Sequence, residues 1–204
     1  MGRDSDVDQS KRATLRRFAA LGAASPLVGI AGASESESDT PEAIAGYVSA
    51  TPGAHFSKIR DDLKLGTGET QHHLRDLEAD GVIESRKDGD YRRFYPADKF
   101  SEFEQVALGH LRRDTLRGVL IALLDSPEAT AGEIATRLDV SRPTVSKCAA
   151  TLESAGLLSR TEGYALQAPE TILLLLVRYA DSFGEDAAAL AESAPSLVEY
   201  TGNE

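Results

Sequence analysis

The stretch TPGAHFSKIRDDLKLGTGETQHHLRDLEADGVIES, residues 51–85, decides the fold because the chain contains a second version of it. Shifted by 75 residues without a gap, it aligns with SPEATAGEIATRLDVSRPTVSKCAATLESAGLLSR, residues 126–160. Seven of the 35 aligned positions are identical, and they preserve the apolar spacing and a glycine, Gly81 or Gly156. Since apolar spacing determines which secondary structure can bury its side chains, we expect two domains of one fold.

In the first copy, apolar periodicity and turn residues predict three helices followed by a hairpin. The helices are predicted at residues 43–50, 56–64 and 68–80, and the strands at residues 82–87 and 91–95. Thr67 is expected to be the N-cap of the third helix, and Gly81 to end it. An Asp-Gly pair at residues 88–89, between two alternating segments, predicts the hairpin turn. This order of elements is that of a winged helix.

The second copy has the same order of elements with a shorter hairpin. Its helices are predicted at residues 115–124, 131–138 and 143–155, and its strands at residues 157–161 and 164–167. Ser141 is expected to be the N-cap of the third of these helices. Pro143 then lies in the first turn, where a missing N–H costs little. The shorter hairpin offers little basic surface.

The two copies resemble a known family. HFSKIRDDLKLGTGETQHHLRDLEADGVIESRKDGDYRRFYP, residues 55–96, resembles archaeal winged helix-turn-helix transcriptional regulators, and residues 131–160 resemble the version found in the MarR/ArsR-like superfamily. The resemblance covers residues 41–184 and implies a mainly α fold with small β-hairpin wings, in which two tandem winged-helix domains precede a C-terminal helix. Cys148 and Ala149 depart from the family, where a His-Leu pair is common, so we expect looser packing of that helix.

The repeat and the composition divide the chain into five segments. They are a flexible, signal-like segment at residues 1–39, winged-helix domain 1 at 40–97, a connecting helix at 98–112, winged-helix domain 2 at 113–168, and a C-terminal helix with an acidic tail at 169–204. The connecting segment is predicted to be helical rather than slack because Phe100, Phe103, Ala107 and Leu111 recur at helical spacing.

Composition and charge limit the classes of function. The net charge is −11, whereas DNA-binding domains usually carry a basic excess. Six Lys against 16 Arg, with many acidic residues, indicate adaptation to a salt-rich cytoplasm. There the Debye length falls to roughly 3 Å at about 1 M salt, so global repulsion from DNA is screened. The single cysteine excludes an intramolecular disulfide.

The second helix of a helix-turn-helix motif enters the DNA major groove, so its outward residues and the basic hairpin are candidate DNA contacts in domain 1. These residues are Thr67, Gly68, Glu69, Gln71, His72, Arg75, Arg86, Lys87, Arg92 and Arg93. Gln71 suits adenine, Arg75 suits guanine or phosphate, and Glu69 suits the amino group of cytosine. Alternation along the strands allows only two or three of the four hairpin cations to reach phosphate together. A solvated helix face and a plain exposed hairpin are the alternatives.

In domain 2 the outward residues of the corresponding helix are polar, with fewer charges. They are Ser141, Arg142, Thr144, Ser146 and Lys147. Their hydroxyl and cationic groups suit phosphate and base edges. A protein-contacting or degenerate domain is the alternative. Cys148 neighbours the apolar stripe of this helix, so we expect a buried, inert thiol rather than a redox switch.

The helix predicted after the second hairpin is apolar on all sides at residues 172–177, more than one small domain can cover. An exposed surface of that kind marks an interface. We therefore expect a homodimer formed through Ile172, Leu173, Leu175, Leu176, Tyr179 and Phe183. The alternative is that this helix packs on the connecting helix of the same chain.

The sequence gives no reason to expect a metal, a cofactor or catalysis. His72 and His73 are adjacent, so on a helix they point about 100° apart, and we expect neither to have a metal-ligand partner at i+4. We expect no metal site. Ser/His/Asp spacing, a phosphate-binding glycine loop and a paired acidic motif are all missing. We therefore expect a protein that is not an enzyme.

The segment LRRFAALGAASPLVGIAGA, residues 15–33, resembles a twin-arginine export signal, with basic, apolar and small-residue regions in order. Its apolar run is shorter than the roughly 18–20 residues that span a bilayer. An exported winged helix would have no genome to read. We therefore expect a cytoplasmic protein on the nucleoid, while cleavage, export or membrane attachment stay open.

These observations favour a sequence-specific transcriptional regulator that binds double-stranded DNA as a homodimer. Recognition helices would lie in the major groove and the basic wing on phosphates. A winged-helix module for protein interaction or chromosome organisation is one alternative. A membrane-tethered regulator is the other.

Overall fold

The computed structural model describes residues 39–197, which form two compact units divided between Ser101 and Glu102. Residues 1–38 of the signal-like segment, which was predicted at residues 1–39, lie outside the described residues, as do the last residues of the predicted acidic tail. The helix predicted to connect the domains falls within unit 2. The mainly α fold with small antiparallel hairpins is confirmed.

Unit 1 has the order of elements expected for a winged helix. It consists of helix α1 (Asp39–Ala50), strand β1 (Ala54–His55), helices α2 (Phe56–Leu63) and α3 (Thr67–Ala79), and strands β2 (Ile83–Asp88) and β3 (Tyr91–Pro96). The sheet order is β1-β3-β2, with both pairs antiparallel. Strand β1 was not predicted, because two residues are too short to show alternation.

The core of unit 1 lies between its three helices and the sheet. Each helix presents one apolar face, and the residues of those faces are buried: Ile44, Val48, Ile59, Leu63, Leu74 and Leu77. Ile83 and Phe94 cover the core from the sheet. Residues at i, i+3 and i+4 share a helix face, which is why the sequence periodicity located this core.

A tight turn joins α2 to α3 and fixes the start of α3. Lys64 adopts the left-handed conformation at φ 56°, and its N–H donates to the carbonyls of Arg60 and Asp61. The prediction that Thr67 is the N-cap is wrong, because Gly66 is the N-cap and Thr67 is the first helical residue. The Gly66 N–H donates to Glu69 Oε2 at 3.1 Å, which closes the cap. The glutamate, rather than the threonine hydroxyl, therefore satisfies this end of the helix.

Unit 2 contains a second winged helix followed by three further helices. Its elements are α4 (Glu102–Leu111), α5 (Asp114–Asp125), α6 (Ala131–Arg137), α7 (Arg142–Ser154), β4 (Leu158–Ser159), β5 (Ala165–Leu166), α8 (Pro169–Arg178), α9 (Ala180–Phe183) and α10 (Glu185–Leu197). The predicted N-cap of α7 is confirmed, since Ser141 Oγ accepts from the Thr144 N–H. The hairpin β4–β5 has two residues in each strand, so this wing is shorter than that of unit 1.

The C-terminal helices of unit 2 fold back onto its first two helices. Helix α8 packs against α4, and α10 packs against both α8 and α5. The sequence predicted an acidic tail where α10 lies. Ala187, Leu190 and Ala194 of this helix are buried at helical spacing, so an apolar stripe was present among the acidic residues.

Two arginines tie these C-terminal helices to the rest of unit 2. Arg112 donates to the Ser182 carbonyl at 2.6 Å, and its guanidinium lies 4.2 Å from the centre of the Phe183 ring. Arg117 is buried and donates to Asp186 at 2.8 Å and to the Leu111 carbonyl at 3.0 Å. Charge-assisted hydrogen bonds of this kind are stronger than neutral ones, so they fix where α9 and α10 lie.

None of the helices within residues 39–197 combines the length and the apolar character that a bilayer-spanning segment needs.

Candidate nucleic-acid interface

Helix α3 has one buried face and one polar, solvent-exposed face. Thr70, Leu74 and Leu77 are buried, as predicted. The exposed residues on the other side are Thr67, Gly68, Gln71, His72 and Arg75. These five candidates therefore share a surface that a large ligand can reach.

Glu69, the sixth candidate of α3, has a different position. Its side chain is half-buried and accepts the hydrogen bond from the Gly66 N–H that caps the helix. A carboxylate held at a helix N-terminus is favoured by the helix dipole. Glu69 therefore has a capping role in the structure, and its expected contact with cytosine stays a prediction.

The wing of unit 1 places Lys87 and Arg92 directly opposite each other on one face of the hairpin. Both side chains are exposed. Two like charges at such a position repel, and Arg92 turns away to pair with Glu78 of α3 at 2.9 Å. Its Nε also donates to Ser85 Oγ at 2.7 Å. The ion pair links the wing to α3, and the exposed ammonium of Lys87 extends the cationic surface.

Arg93 lies on the opposite face of the hairpin and is only 2% exposed. Its Nε donates to Asp88 Oδ2 at 2.5 Å, and its Nη1 donates to the Gly53 carbonyl at 2.9 Å. The expectation that Arg93 contacts phosphate is corrected: this guanidinium is enclosed and ties β3 to the end of β2 and to the residue before β1. Arg86 is opposite Arg93 in the register and is half-buried. The cations of the wing are therefore divided between a structural face and an exposed face.

His55 caps α2 from strand β1. Its Nδ1 accepts from the Lys58 N–H at 3.3 Å, and its ring stacks on Tyr91 of the wing at 4.9 Å. Burial, followed by the charges of Arg93 and Lys58, lowers the pKa of His55 below its usual range. The neutral imidazole needed to accept the hydrogen bond is thus favoured.

In unit 2, the outward face of α7 has three exposed candidates: Arg142, Ser146 and Lys147. Ser141 and Thr144 are engaged in the cap, with 2.8 Å between their hydroxyl oxygens. The Arg142 guanidinium lies close to Gly132, where an added Cβ would be 3.1 Å from its Nη2. This face has two cations, but its hydroxyl groups at the helix start already have partners.

Cys148 lies beside the buried stripe of α7, which includes Val145, Ala149 and Leu152. It is half-buried, and burial raises the pKa of its thiol. Because the thiolate is the reactive form, a raised pKa disfavours redox chemistry.

Most of the residues predicted for a dimer interface, which lie in α8, at its C-cap and in α9, are buried. Ile172, Leu175, Leu176, Tyr179 and Phe183 are buried within unit 2, and Leu173 is half-buried. The packing of α8 on α4 is the alternative that the sequence left open. The large apolar side chains that α8 exposes are Leu174, at 68%, and Val177, at 39%.

One group of residues on α3 was missed in the sequence. His72, His73 and Asp76 have possible metal-ligand atoms that all lie within 4.8 Å of one another. His72 Nδ1 is 3.2 Å from Asp76 Oδ2. The statement that no ligand type lies at i+4 is therefore wrong, since Asp76 occupies that position and residues at i and i+4 are neighbours on a helix.

Comparison with known families agrees with this geometry. Residues 38–108 match the HTH_HVO_0163_N family, described as an N-terminal HTH domain, and residues 117–164 match the MarR family. Both units are winged helix-turn-helix domains. The resemblance to transcriptional regulators of this type is confirmed. The two winged helices are each matched over their helix-turn-helix segment, which includes α2 and α3 in unit 1 and α6 and α7 in unit 2.

A curated relative has the same kind of domain. The uncharacterized HTH-type transcriptional regulator MJ1398 of Methanocaldococcus jannaschii is 32% identical over 126 residues, which cover 61% of this winged-helix chain and 32% of the relative. The chain therefore spans about a third of the length of the curated relative it matches. No solved structure gives a significant match.

Proposed function

We propose that this chain is a DNA-binding transcriptional regulator in which α3 of unit 1 enters the major groove and the wing contacts the adjacent phosphates. The observation that carries the proposal is the exposed polar face of α3, which brings Gln71, His72 and Arg75 together on the second helix of a helix-turn-helix motif. Such a helix places its outward side chains at base edges. The matches to HTH and MarR domains support the same function.

The roles of the cations follow from their positions. Arg75 projects from the exposed face of α3, where a guanidinium suits the O6 and N7 atoms of guanine. Lys87 is exposed on the wing, where an ammonium suits a phosphate. We assign Arg92 to the link between the wing and α3 because it is paired with Glu78. Helix α7, with Arg142, provides a second and less basic contact.

The test is duplex DNA binding in the salt that keeps the chain folded. A preferred duplex is selected from a random library, and its affinity is compared with that of unselected DNA. Arg75→Ala is expected to weaken specific binding by about 1–3 kcal/mol and to relax the preference at one base pair. Lys87→Ala is expected to weaken both duplexes alike and to reduce the slope of log K against log salt by about 0.9.

The matched control is Arg137→Ala, which removes the same charge from an exposed position on α6, outside α3, α7, the wing of unit 1 and the exposed side of α8. It should leave both affinities within about twofold, since surface charges outside an interface contribute little. If the wild-type chain binds no selected duplex more tightly than random DNA, this function is wrong.

We further propose that the regulator is a homodimer that associates through the exposed side of α8. Leu174 and Val177 lie three residues apart on one helical face, and both are exposed. A twofold interface uses the same patch on both copies. Leu174 and Val177 of each copy would therefore be covered by the other copy. This surface replaces the one expected from the sequence, whose residues mostly lie inside unit 2.

Leu174→Glu is the variant that tests the dimer. Covering one leucine in each copy stabilises association by about 3 kcal/mol or more, so its loss should raise the dimer dissociation constant about a hundredfold. Sedimentation velocity at several micromolar concentrations measures the change. Gln167→Glu adds the same charge at an exposed polar position and should leave the dimer intact. A wild-type chain that sediments as a monomer throughout would contradict the proposal.

We also propose that the chain acts in the cytoplasm with the nucleoid, because a DNA-binding regulator acts where the genome is. The support for this location is the proposed DNA partner.

A further inference from the structure

We propose that His72, His73 and Asp76 bind a divalent transition-metal ion such as Zn²⁺, and that the bound ion strengthens the attachment of α3 to DNA. The geometry of the three side chains supports binding of the metal. Its effect on DNA rests on the function proposed above.

The donor atoms suit such an ion in type. Two imidazoles and one carboxylate are ligands that Zn²⁺ and its neighbours in the first transition series accept. Hard cations such as Mg²⁺ prefer oxygen ligands throughout, so the two imidazoles disfavour them. Three protein ligands also leave a coordination position open for water or for an oxygen of another molecule.

The donor atoms are also close enough. Ligands about 2.1 Å from a tetrahedral ion lie roughly 3.4 Å apart. His72 Nδ1 and Asp76 Oδ2 are separated by 3.2 Å, and one possible ligand atom from each of the three residues lies within 4.8 Å of the other two. The ring centres of His72 and His73 are 5.2 Å apart. Small side-chain rotations therefore bring the three donors to one ion without moving the helix.

The group is accessible and is independent of the core. The side chain of His72 is 67% exposed and that of Asp76 is 52% exposed, whereas α3 is anchored through Thr70, Leu74 and Leu77 on its other face. An ion can enter from solvent, and substitution of His72 or Asp76 leaves the packing of the helix in place.

The position of the group connects the ion to DNA binding. His72 and Asp76 flank Arg75 on the exposed side of α3. With neutral imidazoles the group carries a charge of −1 from Asp76, and a divalent ion changes this to +1. Since phosphate attraction dominates DNA affinity, the loaded group should tighten binding, by about threefold or more for a change of two surface charges.

Zn²⁺ binding is first measured on the full chain without DNA, by isothermal titration calorimetry. One ion per chain is expected. His72→Ala and Asp76→Asn should each weaken it by about tenfold or more, since loss of even a supporting residue costs a metal site about 10–100-fold. Asp90→Asn is the control, because it removes the same charge as Asp76→Asn from an exposed position outside the group and should bind Zn²⁺ like the wild type. Unchanged Zn²⁺ affinity in the ligand variants, or no binding by the wild type, overturns the site.

DNA affinity is then measured with EDTA and with Zn²⁺. The wild type should bind DNA in EDTA and about threefold or more tightly with Zn²⁺. Asp76→Asn removes the negative charge, so it should bind more tightly than the wild type in EDTA and not respond to Zn²⁺. Equal or weaker wild-type binding with Zn²⁺ overturns the regulatory role. If Zn²⁺ binds at the site and DNA binds under neither condition, the DNA-binding function fails while the metal site stands.

Discussion

Replacing Arg93 by methionine is expected to lower the free energy of unfolding of unit 1 by about 3 kcal/mol, because removal of one partner of a buried ion pair leaves the other without compensation. The arginine is 2% exposed, and Asp88, which accepts from it, has a side chain that is 19% exposed. The Gly53 carbonyl also loses its donor. Methionine keeps most of the apolar volume of the arginine side chain. The decrease in the free energy of unfolding therefore measures the loss of the polar contacts of Arg93.

Hydrogen exchange followed by mass spectrometry measures this effect, since peptides from β1, β2 and β3 report on unit 1 separately from unit 2. Arg92→Ala is the matched control one residue away. Its ion pair with Glu78 is 62% exposed on the arginine side, so its loss should cost less than about 1 kcal/mol. Equal effects of the two substitutions would contradict the division of the wing into a structural and an exposed face.

A double-mutant cycle with Asp88→Asn sharpens the same result. If Arg93 and Asp88 act as a pair, the double variant should lose less free energy of unfolding than the sum of the two single losses, by about 0.5–3 kcal/mol. Simple additivity would mean that Arg93 stabilises the wing through Gly53 and its packing on Tyr91.

The second large effect is expected at Arg117 of unit 2, where Arg117→Met should lower the free energy of unfolding by about 2–3 kcal/mol. This decrease in the free energy of unfolding is smaller than that expected for a fully buried ion pair, because the side chains of Asp186 and Asp114 are 40% and 89% exposed. The main losses are the bond to Asp186 and the bond to the buried Leu111 carbonyl. Helix α10 should become the first part of unit 2 to exchange its amide hydrogens.

Arg137→Ala is the comparison for Arg117. This arginine pairs with Asp125, and its side chain is 44% exposed, so a cost under about 1 kcal/mol is expected. Exchange rates of peptides from α5, α6 and α10 distinguish the two variants. A loss of protection in α6 rather than α10 on replacing Arg117 would refute the role assigned to it.

The helices were predictable because their information is local. In both copies the apolar residues recur with the period of a helix, and the observed ends of α2, α3, α6 and α7 lie within one or two residues of those expected. The start of α4 was placed four residues too early, because apolar spacing does not show where hydrogen bonding begins.

The missed features depend on pairing between distant residues. Strand β1 exists because Ala54 and His55 add to an edge of the hairpin, and two residues have no period. The burial of Arg93 depends on Gly53, forty residues away. Alternation along the strand predicted that Arg92 and Arg93 lie on opposite faces, but it did not show which arginine would be buried. The group on α3 is different: His72 and Asp76 are four residues apart, and helix geometry alone was sufficient to find them.

The neighbouring arginines of β3 restrict how this wing can change in length. A strand reverses its faces when its register moves by one residue. A single insertion between the Gly89 turn and Arg92 would therefore move Arg92 into the enclosed position and turn Arg93 toward solvent. A two-residue insertion would preserve both environments. Relatives that lengthen or shorten this hairpin should therefore differ by even numbers of residues on this side of the turn, or should compensate with a bulge.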